Sequence, residues 1–181
     1  AAILGLEAAQ VREGCAAAAA STGEAVDPAN FNDPKQTVIA GTKAGVDKAC
    51  ELLKAADAKR ALLLPVSAPF HSSLMKPAAD ALREKLATVA ITAPRIAVVN
   101  NIDVAVQTDP EAIREALYRQ AFGPVRWVEV TQALRARGLT HILECGPGKV
   151  LSGLVKRVDA EVQSATVLDP ASLKAALEMV Q

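Results

Sequence analysis

The sequence predicts an α/β protein in two parts, a small βαββαβ unit over residues 1–64 and a larger α/β unit over 65–181. Three observations carry this. Short aliphatic and β-branched runs alternate with Ala- and Glu-rich helical stretches. Asn32-Asp33-Pro34-Lys35 supplies the turn chemistry that joins two early runs as a hairpin. Hydrophobic residues make up 51% of the chain but aromatics only 3%, so the core is built from Ala, Val, Leu and Ile.

Taken in order, residues 2–4 read as a strand and 7–20 as a helix. Residues 26–31 and 37–40 read as strands flanking the turn. A helix over 43–56 places Val46, Ala49, Cys50 and Leu53 at i, i+3, i+4, i+7 spacing. An aliphatic strand follows over 61–66, which completes the split-βαβ, ferredoxin-like pattern. Beyond Pro65 the alternation lengthens. A helix over 73–89 is predicted to bury Leu74, Ala78, Ala81, Leu82 and Leu86 along one stripe, and 96–99 reads as a strand. Asp109-Pro110 is an N-cap followed by proline at the first helical position, opening a helix to about 121. Another helix runs over 128–137 and stops at Gly138, with Trp127 read as a core anchor at its start. Residues 141–144 form a strand, Gly146-Pro147-Gly148 turns it into a helix over 149–158, and 165–168 and 171–179 supply the last strand and helix.

Lys plus Arg and Asp plus Glu are each 20, for a formal net charge of zero. This argues against an extended electrostatic footprint for nucleic acid or an anionic membrane. No run of about 18 apolar residues and no signal peptide pattern is present, so the expectation is a soluble, cytoplasmic protein. Cys15, Cys50 and Cys145 are odd in number and widely spaced, without C-x-x-C, and read as three buried thiols with no disulfide framework and no metal site. The opening Ala1-Ala2-Ile3-Leu4-Gly5 is already strand-like and lacks methionine, so the chain reads as truncated on its N-terminal side.

The segment Pro65-Val66-Ser67-Ala68-Pro69-Phe70-His71-Ser72-Ser73-Leu74-Met75 is the most informative for chemistry. A histidine after a strand and a proline-stiffened turn, just before a helix, sits where α/β enzymes present catalytic groups. On position alone His71 reads equally as a capping or surface residue. His141, within a β-like run, reads as structural. Ser73-Leu74-Met75-Lys76 matches S-x-x-K, but neither S-D-N nor K-T-G follows. Gly146-Pro147-Gly148-Lys149 invites a phosphate-loop reading, yet Val150 stands where Ser or Thr is required; a tight turn is favoured, with Lys149, Lys156 and Arg157 left as a candidate docking patch. Asn100-Asn101 and Asn30-Phe31-Asn32 put amides at strand ends, where turn capping is favoured over ligand binding. No G-x-S-x-G elbow occurs anywhere, so a histidine base would have no nucleophile of its own.

Five of these segments, in this order and at these separations, resemble bacterial malonyl-CoA:acyl carrier protein transacylases: Asn30-Phe31-Asn32 with Thr37-Val38-Ile39-Ala40-Gly41; Pro65 to Pro77; Val99-Asn100-Asn101; Gln120 with Pro124-Val125-x-Trp127; and Glu144-x-Gly146-Pro147-Gly148-Lys149-Val150-Leu151. The likeness extends over essentially the whole chain. It implies an α/β-hydrolase-like domain carrying a ferredoxin-like insert, and transfer of malonyl from coenzyme A to the phosphopantetheine thiol of acyl carrier protein through an acyl-serine. It also implies His71 as the base, with the backbone carbonyl of Gln120 orienting its ring. Phe70 resembles the malonyl-selective form of the motif. Asn30, Asn32 and Arg60 match positions lining the coenzyme A side, and Lys149, Lys156 and Arg157 would meet the carrier protein. Coenzyme A thioester and phosphopantetheine enter as substrates, and no cofactor is expected. The elbow, the oxyanion-loop glutamine and the arginine for the malonyl carboxylate would lie before Ala1, making this the C-terminal portion of an enzyme unable to act without its N-terminal segment. Two alternatives stand beside it: the acyltransferase domain of a polyketide synthase, and a non-catalytic module binding carrier protein or coenzyme A.

Overall fold

The first 62 residues follow the predicted element order: β1 (Ala2–Leu4), α1 (Ala8–Thr22), β2 (Val26–Asp33), β3 (Gln36–Gly41), α2 (Lys43–Ala55) and β4 (Arg60–Leu62). The computed structural model describes residues 1–181. The four strands form one sheet in the order β2-β3-β1-β4, every neighbouring pair antiparallel. Register decides which side chains meet the helices. Phe31 and Ile3 both lie opposite Thr37, and this row of three is buried. The adjacent row of Asn30, Val38, Ala2 and Leu62 points to the other face. Against the helix side pack Val11, Cys15 and Ala18 of α1 and Val46, Ala49, Cys50 and Leu53 of α2, the stripe that the spacing predicted. Burial pushes the Cys15 thiol up to about 12, so it behaves as a small hydrophobe and not as a nucleophile. Thr42 caps α2 by accepting from Gly45 N–H.

Two compact units make up the chain, Ala1–Trp127 and Val128–Gln181. The first adds α3 (Lys76–Ala87) and α4 (Pro110–Phe122) to the sheet. Asp109 caps α4 through Ala112 N–H, as its sequence signal predicted. Three expectations fail here. The helix expected over 73–89 begins as a 3₁₀ turn at Ser73–Met75, and its buried residue is Ala79; Leu74 and Leu82 of the expected stripe are exposed. The strand expected over 61–66 ends at Leu62, and no strand forms over 96–99, where Val99 makes a single bridge to Val106. A strand exists only through its partner, and no neighbouring backbone pairs with 63–66 or 96–98, which leaves Leu63, Val66, Ile96 and Val98 exposed.

The second unit holds α5 (Trp127–Ala136, entering from the last residue of the first unit), β5 (His141–Cys145), α6 (Val150–Val158), β6 (Gln163–Val167) and α7 (Pro170–Met179). β5 and β6 pair in parallel, His141 opposite Gln163 through Cys145 opposite Val167. Gly138 takes φ 85 beyond α5, the left-handed stop its position predicted. Cys145 is exposed, against the expectation of a buried thiol, because it ends β5 on the alternation's outer side. Trp127 is only half-buried. No helix is long and apolar enough to cross a membrane.

One glycine tests the core. A Cβ on Gly14 of α1 would stand 2.4 Å from Leu53 Cδ2 and 2.8 Å from its Cγ, and Leu53 is fully buried. Alanine gains roughly 1 kcal/mol in helix propensity, while overpacking a filled core costs about 1–3 kcal/mol. Gly14→Ala is therefore expected to lower the urea midpoint; a higher midpoint would show that Leu53 has room to move.

Candidate active site around His71

The backbone brings His71 to the end of α4. Pro69 and Ser72 close the loop before the 3₁₀ turn: fully buried Ser72 donates its hydroxyl to Pro69 O at 2.6 Å, and Met75 N–H donates to Ser72 O at 3.0 Å. Ser73 donates both its N–H (2.8 Å) and its hydroxyl (2.7 Å) to Asp27 Oδ2 on β2. Within this frame His71 has φ 59, a left-handed conformation costing a non-glycine residue roughly 1–2 kcal/mol. Such strain persists where the surroundings over-determine it, and it gathers at functional sites.

The half-buried ring faces two main-chain carbonyls, with Nδ1 3.1 Å from Gln120 O and 3.2 Å from Gly123 O. Carbonyls only accept, so Nδ1 carries the proton and the neutral ring keeps its lone pair on Nε2. Gln120 lies in the last turn of α4, where carbonyls lack helical partners and the negative end of the helix dipole favours a cation.

That end of α4 is held from several sides. Gly123 N–H donates to Arg119 O at 2.8 Å, and a Cβ on Gly123 would lie 2.3 Å from Ile102 Cδ1 and 2.9 Å from Arg119 O. Glycine is therefore a packing requirement where the chain leaves the helix. Gln120 Oε1 accepts from Asn101 N–H at 3.3 Å. Arg119 forks onto Asp103 at 2.6 and 2.8 Å, which holds the Asp103 carboxyl below its usual range. Asn100 Oδ1 accepts from Asp103 N–H at 2.7 Å, the capping reading of that amide. Past Gly123, Val125 pairs with β2: its N–H donates to Ala29 O at 2.8 Å and its carbonyl accepts from Phe31 N–H at 2.9 Å.

Of the residues singled out in the sequence, His71 and Gln120 are brought together. Phe70 precedes the imidazole and is 52% exposed. Asn30 and Arg60 share the sheet face away from α1 and α2, but on opposite edge strands, roughly 14 Å apart by strand spacing. Asn32 sits at the bulge between Phe31 and Asp33. Lys149 and Lys156 line one groove of about 540 Å³ with Ser152 and Thr166; exposed Arg157 does not line it. The S-x-x-K match is not an assembled pair, since the Ser73 hydroxyl is given to Asp27 and Lys76 to Asp80. Gly146-Pro147-Gly148 is a turn whose following helix is capped by Glu144, which accepts from Ser152 N–H at 2.8 Å and Leu151 N–H at 3.2 Å; these bonds draw its carboxyl below the usual range. No group of three or more metal-ligating side chains is gathered anywhere. Sequence reasoning missed Gly123, Asp27 and the Arg119–Asp103 pair. Only Gly123 carried a local signal, a glycine before Pro124 at a helix end.

Comparison with known proteins matches residues 5–172 to the family described as acyl transferase domain. A curated relative, malonyl CoA-acyl carrier protein transacylase of Escherichia coli (strain K12), is 48% identical over 99% of this chain and 57% of its own length. The Bacillus subtilis (strain 168) protein of the same description is 42% identical over the whole chain and 57% of its own. Among solved structures, an acyl-carrier-protein S-malonyltransferase from Burkholderia pseudomallei 1710b is 62% identical with TM-score 0.93, over 98% of this chain and 57% of that one. A malonyl-transacylase solved with a type II PKS acyl-carrier protein is 47% identical with TM-score 0.94, over 98% and 57% of the two chains. The chain thus spans 57% of the length of the relatives it matches. That share does not bear out a C-terminal placement, because it gives a length and no end.

The depressed Asp103 carboxyl has a pH signature. A group whose folded pKa is lowered contributes stability above its unfolded pKa, about 3.9 for aspartate, and loses it as pH falls through the folded value. Asp103→Asn should thus lower stability by about 1 kcal/mol at pH 6, with the difference shrinking toward pH 3. Denaturant midpoints of parent and variant across this range check it; a difference independent of pH would refute the pairing.

Proposed function

The chain belongs to the acyl transferase family, and from that premise we propose that it supplies the base of a transferase moving malonyl from malonyl-CoA to the phosphopantetheine thiol of acyl carrier protein. The observation that carries this is the His71 ring, with Nδ1–H turned to two carbonyls and Nε2 left to an incoming group. A serine hydroxyl, contributed by the part of the longer protein outside these residues, gives its proton to Nε2 as its oxygen attacks the malonyl thioester. The imidazolium then returns that proton to the departing coenzyme A thiolate, leaving an acyl-serine. In the second half-reaction the carrier-protein thiol loses its proton to Nε2, its sulfur takes the acyl group, and the departing serine oxygen receives that proton back from the imidazolium. The Gln120 carbonyl orients the ring throughout. It stabilises imidazolium less than a carboxylate would, and a thioester, with its better leaving group, asks less of the base than an amide.

In this reading Phe70 restricts the acyl pocket beside His71. Asn30, Asn32 and Arg60 face coenzyme A, and Lys149, Lys156 and Arg157 meet the carrier protein. Residues 1–64 are the ferredoxin-like small subdomain and 65–181 belong to the α/β-hydrolase-like part. Coenzyme A and phosphopantetheine are substrates, no separate cofactor takes part, and the reaction belongs to cytoplasmic fatty acid synthesis. The transacylase solved with a polyketide carrier protein favours that pathway as the second reading.

In the complete enzyme, His71→Ala should cut malonyl transfer by about 10²–10⁴-fold, measured as malonyl-carrier formation by intact mass. Transfer within about twofold of the parent would remove the imidazole from the mechanism. Rates with fatty acid and polyketide carrier proteins separate the two pathways.

A further inference from the structure

We infer that Asp27 is a positioning residue for His71, an inference that rests on the proposed role of that imidazole. Asp27 is half-buried on β2 and stands far from the ring in sequence. Its Oδ2 accepts two bonds from Ser73, the N–H at 2.8 Å and the hydroxyl at 2.7 Å. Ser73 opens the 3₁₀ turn two residues after His71, and its N–H is one of the donors a helical start leaves unpaired. The Asp27 carboxylate therefore caps that turn from another strand. It fixes the chain immediately beyond a residue at φ 59, a conformation that would relax if the following turn were free to rotate.

The same strand holds the other partner of the ring. Two residues beyond Asp27, Ala29 O accepts from Val125 N–H at 2.8 Å, and Phe31 N–H donates to Val125 O at 2.9 Å. Val125 follows Gly123, whose carbonyl is one of the two acceptors of Nδ1. From Asp27 to Ala29 is about 6.6 Å of extended backbone. Over that short stretch β2 fixes the imidazole loop by a side chain and the carbonyl segment by its main chain. β2 is itself anchored, since Val26, Ala29 and Phe31 are buried and the strand pairs with β3 on both sides of a register shift at Ala29. The 3.1 and 3.2 Å contacts of Nδ1 are thus spacings between two attachments on one strand.

The test is a mutant cycle in the complete enzyme, with malonyl-CoA and a carrier protein as substrates. Misplacing a catalytic group by a fraction of an ångström acts on kcat and leaves ground-state binding in place, so Asp27→Ala should lower kcat roughly tenfold with KM for malonyl-CoA within about twofold. Ser73→Ala, which keeps the backbone bond, should lose about threefold, and Asp27→Asn, which keeps an acceptor oxygen, should stay within about threefold of the parent. In a His71→Ala background the Asp27→Ala effect should vanish to within about twofold, because the residue acts through the ring. A purely structural role would give the same loss in both backgrounds and overturn the inference, as would Asp27→Ala at the parental kcat. Parental activity in His71→Ala alone would instead sink the proposed function, a result read from a different variant.

Discussion

The site depends on a histidine ring whose only hydrogen-bonding partners are main-chain carbonyls. A carboxylate behind a catalytic imidazole can be brought by a single rotamer, whereas a carbonyl can be aimed only by fixing the backbone that bears it. The first unit is therefore organised around the end of α4. Arg114 of that helix donates to Leu86 O and Val89 O at the close of α3. Tyr118 donates to Asp80 of α3 at 2.9 Å, and Arg83 lies over the Tyr118 ring at 3.4 Å from its centroid. These contacts set the distance between the two helices, and so between the loop before α3 and the carbonyls after α4.

Acceptance by two carbonyls also has a chemical result. It fixes the tautomer as firmly as a carboxylate does, since neither oxygen can donate. It adds only dipoles, those of the two peptide units and of the α4 terminus, to the field at the ring. No buried anion stands behind the ring, so none has to be desolvated there. The carboxylates nearby are used instead as struts. Asp103 is satisfied by Arg119, and Asp27 by Ser73.

The parts of this arrangement written in local sequence are those that local physics determines. The α2 stripe, the Asp109 cap and the Gly138 stop were all legible, because a periodicity or a single residue type specifies each of them. His71 was singled out by its place after a proline-stiffened turn, and Gln120 only by resemblance. Nothing in Gln120 itself marks it, since the contact with the ring is made by its backbone oxygen and any residue has one. Asp27 and Asp103 were invisible for a related reason. Their partners are 46 and 16 residues away, and a lone aspartate carries no sign of what it will meet.

The misread strands have a different cause. Residues 61–66 and 96–99 carry the aliphatic composition of a buried strand, and the inference from pattern to burial is sound wherever a partner is present. Here Leu63 is 67% exposed and Ile96 81%, so the pattern describes a burial that these 181 residues do not themselves supply. The stripe expected over 73–89 fails in the same direction, with Leu74 exposed in the 3₁₀ turn and Leu82 exposed on α3, whose buried residue is one alanine. By contrast, the face of the β1–β4 sheet that lies under α1 and α2 satisfies its own pattern: Ile3, Ile39 and Leu53 are closed off by residues of the same segment. β2 belongs to that self-sufficient part, which is why it can serve as the fixed reference for the loop of His71 and the carbonyls that hold its ring.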